Sequence, residues 1–224
     1  MSKTIETLRR HPSAALLAVQ LLGFLLYPLM ETSPSSRALF GAFGLIVLGA
    51  ALWVVRRSPW LTGLGIALAL PVVVLSVISA VSTRPELLVW TAALESLFYF
   101  YATGSLTAYM LQDWVATNDE LFAAGATFTL LAWAFAYAYV VCEAFFPGSF
   151  AAGSNGAAAR TWMELLYLSV AVLSSVGLSD IVPATPMARA IVMLESVAGI
   201  MYIALVVSRL ISMAATARRK EERE

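Results

Sequence analysis

Six long apolar stretches dominate this chain of 224 residues and restrict it to an environment in which they can be buried. The stretches cover residues 12–30, 38–55, 60–82, 87–111, 121–146 and 187–213. A membrane core about 30 Å thick is crossed by a helix of about 20 apolar residues, so each stretch can span it. Only 12% of the residues are charged, against roughly a quarter in soluble domains. The sequence therefore predicts an all-α integral membrane protein with six transmembrane helices.

The connection between the fifth and sixth stretches carries an additional short apolar segment. A loop rich in glycine and alanine, PGSFAAGSNGAAA, leads into residues 160–175, RTWMELLYLSVAVLSS. This segment has a helical pattern but is too short to cross the membrane and return. We predict a re-entrant helix here, and we expect Glu164 to cap its first turn, where the helix dipole favours an acid.

The stretch that follows, SSVGLSDIVPATP at residues 174–186, is unfavourable for helix and strand because serine, glycine, aspartate and proline recur in it. Irregular backbone at membrane depth is tolerated only where it is buried in protein or lines water. The carbonyls at the end of the short helix carry partial negative charge, which favours a cation. Residues 175–180 are therefore expected to line a wet site that attracts cations.

Basic residues indicate the orientation of the six spans. With both termini in the cytoplasm, ten of the 14 Lys and Arg residues lie inside and four outside, which follows the positive-inside rule. The inner group is Lys3, Arg9, Arg10, Arg56, Arg57, Arg209, Arg218, Arg219, Lys220 and Arg223. We predict a multi-pass protein of the plasma membrane, surrounded by lipid, and we expect Arg209 to reach the lipid headgroups.

Other classes of protein find little support in the composition. Acidic and basic residues both number 14, so the net charge does not indicate a nucleic-acid partner. The single histidine, His11, and the single cysteine, Cys142, cannot build a zinc site, and a serine hydrolase would lack its base. We therefore expect neither enzymatic activity nor a cofactor.

Residues 166–210, LYLSVAVLSSVGLSDIVPATPMARAIVMLESVAGIMYIALVVSRL, carry a specific resemblance. They resemble the pore helix, filter and inner helix of the potassium channel superfamily, in particular bacterial channels with one pore loop per subunit. The family's filter, TVGYGD, aligns with Ser175, Val176, Gly177, Leu178, Ser179 and Asp180. The Ile-x-Pro-x-Thr-Pro that follows and the Ala-Arg and Leu-Glu pairs of the last span match as well.

The resemblance implies a homotetramer in which four filters surround one pore. Backbone carbonyls of Ser175, Val176 and Gly177 would replace the water around K⁺ or Na⁺. Leu178 stands in place of the family's tyrosine, and Ser179 in place of its second glycine. If the latter position needs a left-handed backbone, serine adds a strain of roughly 1 to 2 kcal/mol per subunit. We therefore predict a channel for monovalent cations, with K⁺ preferred or weakly selected.

The resemblance also assigns supporting and gating residues. Tyr167 would face Asp180 and donate a hydrogen bond to it, and Glu195 would form a structural hydrogen bond behind the filter. The expected hinge and apolar gate of the last span are Gly199, Ile200, Ile203 and Val207. The spacing of the three apolar gate residues also fits ordinary helix packing.

Two further acidic residues lie within the apolar stretches, where a charge is costly. Glu95 has no obvious partner in its own span, so we expect it to be protonated or hydrogen-bonded. Glu143 lies near the outer end of the fifth span and is expected to pair with Arg160 or Arg189.

The first four spans carry no sign of a voltage sensor, because residues 87–111 contain no arginine or lysine. The motifs GAFG, GLG and ATGS predict close helix packing there. We divide the chain into a four-helix domain at 1–118, a pore domain at 119–215 and a charged cytoplasmic tail at 216–224. The alternatives to a conducting channel are a channel-like scaffold that does not conduct and an ion-coupled secondary transporter.

Overall fold

A computed structural model describes residues 12–30, 36–55, 62–81, 85–112, 118–152 and 160–221. These residues form seven helices and two short strands. The helices are α1 (Pro12–Met30), α2 (Ser36–Val55), α3 (Thr62–Val81), α4 (Pro85–Gln112), α5 (Asn118–Phe145), α6 (Trp162–Leu173) and α7 (Pro186–Glu221). The strands are β1 (Phe150–Ala152) and β2 (Ile181–Pro183). The predicted order of long helices with one short helix before the last agrees with this architecture.

Local chemistry explains where several helices begin. Pro12, Pro85 and Pro186 each occupy the first position of a helix, where the missing N–H costs nothing and the fixed φ favours helical geometry. Thr185 precedes α7, and its hydroxyl accepts a hydrogen bond from the Ala188 N–H at 3.3 Å. The helix α7 then continues through residue 221, so residues 216–221, which the sequence analysis assigned to a charged tail, are part of the last helix.

Helix α5 is the centre of the fold, because it packs against α1, α4, α6 and α7. Every side chain from 130 to 137 is buried. An aromatic cluster joins three helices around Trp133, whose ring lies 5.6 Å from Tyr99 of α4 and 4.9 Å from Trp162 of α6. The core is therefore built around α5, the helix that precedes the short helix α6.

The short helix α6 has 12 residues, or about 18 Å at the helical rise, which is too short for a membrane core. Its start is a capping box. The Thr161 hydroxyl accepts from the Glu164 N–H at 3.3 Å, and the Glu164 carboxylate accepts from the Thr161 N–H at 2.6 Å. The expectation that Glu164 caps this helix is confirmed.

A two-stranded antiparallel ribbon departs from the all-α expectation. Strand β1 pairs with β2 so that Phe150 lies opposite Pro183 and Ala152 opposite Ile181. The sequence analysis treated the first strand as part of a loop, because a run of three residues is too short to show a strand period. The ribbon joins the segment after α5 to the segment after the predicted filter.

Within the described residues, two helices are long and apolar enough to cross a membrane, Asp119–Phe145 and Pro186–Ile211. Shorter apolar stretches lie at Pro12–Leu26, Phe43–Val54, Gly63–Ser79 and Trp162–Leu173. The helices coincide with the six predicted spans in position. That α1 to α4 each cross the membrane stays a prediction.

Close packing through glycine occurs at other positions than the three small-residue motifs predicted. An added Cβ at Gly44, Gly63 or Gly104 would meet nothing within 4 Å. At Gly23 it would lie 2.4 Å from the Phe43 ring, and at Gly125 it would lie 2.9 Å from the Leu17 side chain. The prediction is therefore wrong for those three glycines, because a motif reports residue size but not which face of a helix meets a neighbour.

Candidate functional site

The predicted filter lies in irregular backbone between the end of α6 and β2. Its first residues fold back on the helix end, where the Ser174 N–H donates to the Val170 carbonyl at 3.0 Å and the Ser175 N–H to Val172 at 3.0 Å. The Gly177 N–H donates to the Ala171 carbonyl at 2.9 Å. These bonds satisfy carbonyls that a helix end leaves open, and they fix the start of the filter to α6.

Two residues of the filter adopt left-handed backbone. Ser175 has a φ of 60° and Gly177 a φ of 66°. Glycine adopts this conformation without strain, but a residue with a side chain pays roughly 1 to 2 kcal/mol. Such strained residues cluster at functional sites. The structure therefore assigns the strain to Ser175, whereas the sequence analysis considered it for Ser179, whose φ is not positive.

The second half of the filter holds a tight turn. The Ser179 N–H donates to the Gly177 carbonyl at 3.1 Å, across a single residue, as in a γ-turn. The Ser179 hydroxyl in turn accepts from the Ile181 N–H at 3.1 Å. In this conformation, one of the three carbonyls expected to bind a cation already accepts an internal hydrogen bond.

The apolar side chains of the filter point away from the rest of the chain. Val176 is 69% exposed and Leu178 is 71% exposed, although neither carries a polar atom in its side chain. Exposed apolar residues in adjoining positions are typical of a surface that another partner covers.

Glu195 connects three helices behind the filter. It is fully buried in α7, and its two carboxylate oxygens accept hydrogen bonds from Tyr139 of α5 and Ser169 of α6. The Ser169 hydroxyl also lies 2.9 Å from the Ala132 carbonyl of α5. The expected structural role of Glu195 agrees with this arrangement. Tyr139 and Ser169 were missed, because a tyrosine and a serine in apolar helices carry no motif.

Tyr167 and Asp180 line one cavity of about 520 Å³, together with Phe24 of α1. The structure gives no hydrogen bond between these two side chains in the part of the chain that it describes, and Tyr167 is 50% exposed. The cavity places the two residues on one side of α6, and the proposed bracing bond remains a prediction.

Gly199 lies directly against the end of α6. An added Cβ would stand 2.5 Å from the Leu173 carbonyl oxygen and 2.9 Å from its Cα, closer than real Cβ atoms approach. Ile200, Ile203 and Val207 are exposed on α7. The helix is continuous through Gly199, so this glycine has a packing role at the filter that a hinge role alone does not explain.

Glu143 does not pair with an arginine in the described part of the chain. Its carboxylate accepts from the backbone N–H of Gly148 at 2.8 Å and of Phe150 at 3.1 Å, and so holds the turn between α5 and β1. Arg160 lies 3.7 Å from Glu164, and Arg189 donates to the Pro183 carbonyl at 3.3 Å. The pairing with Arg160 or Arg189 is not seen among the described residues, where the Glu143 carboxylate binds backbone N–H groups after α5 instead.

Glu95 and Arg209 both have partners on α5. Glu95 forms a hydrogen bond with Tyr137, which agrees with the expectation that Glu95 is protonated or hydrogen-bonded. Arg209 forms an ion pair with Glu120 at 3.1 Å, whereas the sequence analysis expected it to reach lipid headgroups. Arg209 lies within α7 and not at its end, so the buried Glu120 carboxylate is the nearer partner for its charge.

Comparisons with known proteins identify one family. Residues 125–216 match the model of a family described as ion channel, and this segment contains most of α5, all of α6, the filter and α7 up to residue 216. No match was found among curated proteins, and none among solved structures.

Proposed function

We propose that four copies of this chain form a cation channel, because residues 125–216 match the model of a family described as ion channel and residues 166–210 resemble the potassium channel superfamily. The cation passes between four copies of the segment Ser175 to Asp180, and carbonyl oxygens replace part of its water shell. K⁺ is preferred or weakly selected over Na⁺. No cofactor and no catalytic step is part of this function.

The single observation that carries the proposal is the exposed, irregular segment at the end of a helix too short to cross a membrane. Its backbone groups need partners at membrane depth, and its apolar side chains at Val176 and Leu178 need cover. Copies of the same chain arranged around an axis provide both, because the carbonyls then face a hydrated ion and the side chains face a neighbouring subunit.

Helix α7 supports the assembly. In the most apolar part of α7, only 17% of the residues are buried within one chain, against 67% in the corresponding part of α5. A helix with so little cover must face lipid, water or another subunit. In the proposed tetramer, its side towards the axis carries Ile200, Ile203 and Val207, which form an apolar constriction. We propose the plasma membrane as the location, with both termini in the cytoplasm.

The decisive experiment records currents from the purified full chain in planar bilayers with opposed K⁺ and Na⁺ gradients. The proposal requires discrete single-channel currents, a reversal potential that follows the cations, and exclusion of chloride. Equal chloride permeability overturns it, and coupled saturating flux without discrete openings assigns the protein to the transporters. Chemical crosslinking of the purified protein is expected to stop at four copies.

Two glycines provide a matched pair of variants for the filter. Gly177 has a φ of 66° and Gly148, in the turn after α5, a φ of 79°; an added Cβ meets nothing within 4 Å at either position. Gly177→Ala and Gly148→Ala therefore impose a similar backbone strain of roughly 1 to 2 kcal/mol. We expect Gly177→Ala alone to abolish conduction or change the reversal potential. The same effect from both variants would show that this segment does not form the filter.

One observation supports a second candidate, a channel-like scaffold that does not conduct. The Gly177 carbonyl accepts the Ser179 N–H, and a filter that kept this bond in the assembly would have the Gly177 oxygen of each subunit engaged in an internal hydrogen bond. The scaffold predicts crosslinked tetramers without currents or ion flux into vesicles, so the bilayer recordings separate the two candidates.

A further inference from the structure

The first turn of α5 carries two adjacent buried carboxylates, Asp119 and Glu120, which are 5% and 7% exposed. Buried charges are costly unless they are paired or hydrogen-bonded. Adjacent residues of a helix do not face the same neighbour. Each carboxylate should therefore have its own partner, in a different direction from the axis of α5.

Asp119 binds the beginning of α1. One of its oxygens accepts the Ser13 backbone N–H at 3.2 Å, and the other accepts the Ser13 hydroxyl at 3.0 Å. The first N–H groups of a helix have no partner within that helix, and its positive dipole end favours an anion. A residue 106 positions away along the chain thus completes the N-terminal end of α1.

Glu120 binds the other side of the junction. Its carboxylate pairs with Arg209 of α7 at 3.1 Å, only two residues beyond Val207 in the proposed gate. One helical turn along α5, the Ala124 carbonyl accepts a hydrogen bond from the Tyr202 hydroxyl at 2.5 Å. Tyr202 and Arg209 are two turns apart on α7, so both bind the same end of α5.

Helix α1 contacts α5 at several positions along its length. The Thr129 hydroxyl donates to the Gln20 side-chain oxygen at 2.6 Å, and Gly125 leaves room for the Leu17 side chain. With Ser13 at one end, these contacts follow one face of α1. A displacement of the N-terminal end of α1 therefore acts on the turn of α5 that carries Glu120.

We propose that Asp119 and Glu120 form a coupling junction between the N-terminal end of α1 and the gate segment of α7. The inference rests on the proposed channel function, since α7 must move for a pore to open and close. Coupling through packed elements needs a contiguous set of contacts and one element with two positions. The Ser13, Asp119, Glu120 and Arg209 contacts provide the first, and the proposed channel function, in which α7 has an open and a closed position, implies the second.

A double-mutant cycle tests the junction in bilayer recordings of the full chain. The variants are Asp119→Asn, Arg209→Gln and the combination of both, with Ser13→Ala as a milder replacement should Asp119→Asn fail to fold. Glu86→Gln is the matched control, because Glu86 is an exposed acid in the first turn of α4. The charge exchange E120R/R209E serves as the rescue.

We expect Asp119→Asn and Arg209→Gln to shift the open probability in the same direction, by about 5- to 150-fold each. The combination should add little to either change, Glu86→Gln should leave open probability unaltered, and the charge exchange should return it towards that of the original protein. Shifts that simply multiply in the combined variant show two independent sites and overturn the junction.

The same cycle is measured by thermal unfolding of the detergent-solubilised protein, so that the junction is tested independently of the channel function. A protein without currents overturns the proposed function. If its unfolding temperatures are non-additive across the cycle, the junction is retained as a physical connection from α1 to α7 through the first turn of α5. Additive unfolding temperatures together with independent or absent gating effects refute it.

Discussion

At the scale of single residues, the buried Glu195 depends on hydrogen bonds from two other helices. This carboxyl group is fully buried, and its oxygens meet hydroxyl groups from two other helices. A buried polar atom that loses its partner costs about 1 to 3 kcal/mol, more than an average hydrogen bond contributes. The position of α7 behind the filter therefore depends on Tyr139 and Ser169.

Tyr139→Phe is expected to lower the free energy of unfolding by about 1 to 3 kcal/mol, because it leaves one Glu195 oxygen without its donor. The ring itself packs on Phe150 with 4.8 Å between centroids, and this contact is retained in the variant. Thermal unfolding in detergent measures the change.

Tyr167→Phe is the matched control for the loss of a phenol hydroxyl. Tyr167 is half exposed, so its substitution should change stability by no more than about 0.5 kcal/mol. A loss in Tyr167→Phe as large as that in Tyr139→Phe would contradict the assignment and would favour the bracing bond to Asp180.

At the scale of elements, the fold depends on how closely α7 approaches the end of α6. Gly199 is the point of contact, and the Leu173 carbonyl occupies the space that a side chain would need. Because the predicted filter begins two residues after Leu173, this contact determines the distance between α7 and the predicted filter. The helix contact thus links the packing of the pore domain to the proposed ion pathway.

Gly199→Ala is expected to destabilise the protein by about 1 to 3 kcal/mol, as overpacking at a fixed contact does, and to reduce conduction. Gly104→Ala is the control, because Gly104 lies within α4 with open space around it. There the substitution should stabilise the helix by up to about 1 kcal/mol. Equal effects from the two variants would show that Gly199 acts through helix propensity or hinge flexibility and not through the contact with Leu173.

At the scale of the whole molecule, helices α1 and α4 pack against α5, and α4 carries none of the basic residues of a voltage sensor. In α4 the ionisable carboxyl groups are Glu86 and Glu95, and no basic residue is present. Helix α1 packs on α5, and α4 contacts α5 through Tyr99 and Trp133. These helices are therefore suited to hold and position the outer helix of the pore.

Conductance is accordingly expected to change little with membrane potential. Each charge that crosses the field gains about 2.3 kcal/mol per 100 mV, and α4 offers no such cationic charge. Recordings between about −100 and +100 mV in symmetrical solutions measure the open probability. Steep activation with several gating charges would contradict this prediction.

The sequence by itself determined the order and extent of the helices, the short helix before the last one, and the resemblance to a channel family that the match of residues 125–216 supports. These properties are local, because apolar length, helix breakers and a filter motif all lie within short runs of residues. The start of α6 belongs to the same class, since a threonine followed three residues later by Glu164 is a local capping pattern.

Only the tertiary structure decided which distant side chains meet. Glu143 binds backbone N–H groups, and Arg209 forms an ion pair with Glu120. Tyr139 and Ser169 both donate hydrogen bonds to Glu195, and the residue with strained backbone is Ser175. Each outcome depends on how helices far apart in the chain are rotated and spaced against one another. A sequence pattern specifies which residues are polar or small, and the packing of α5 against its neighbours selects their partners.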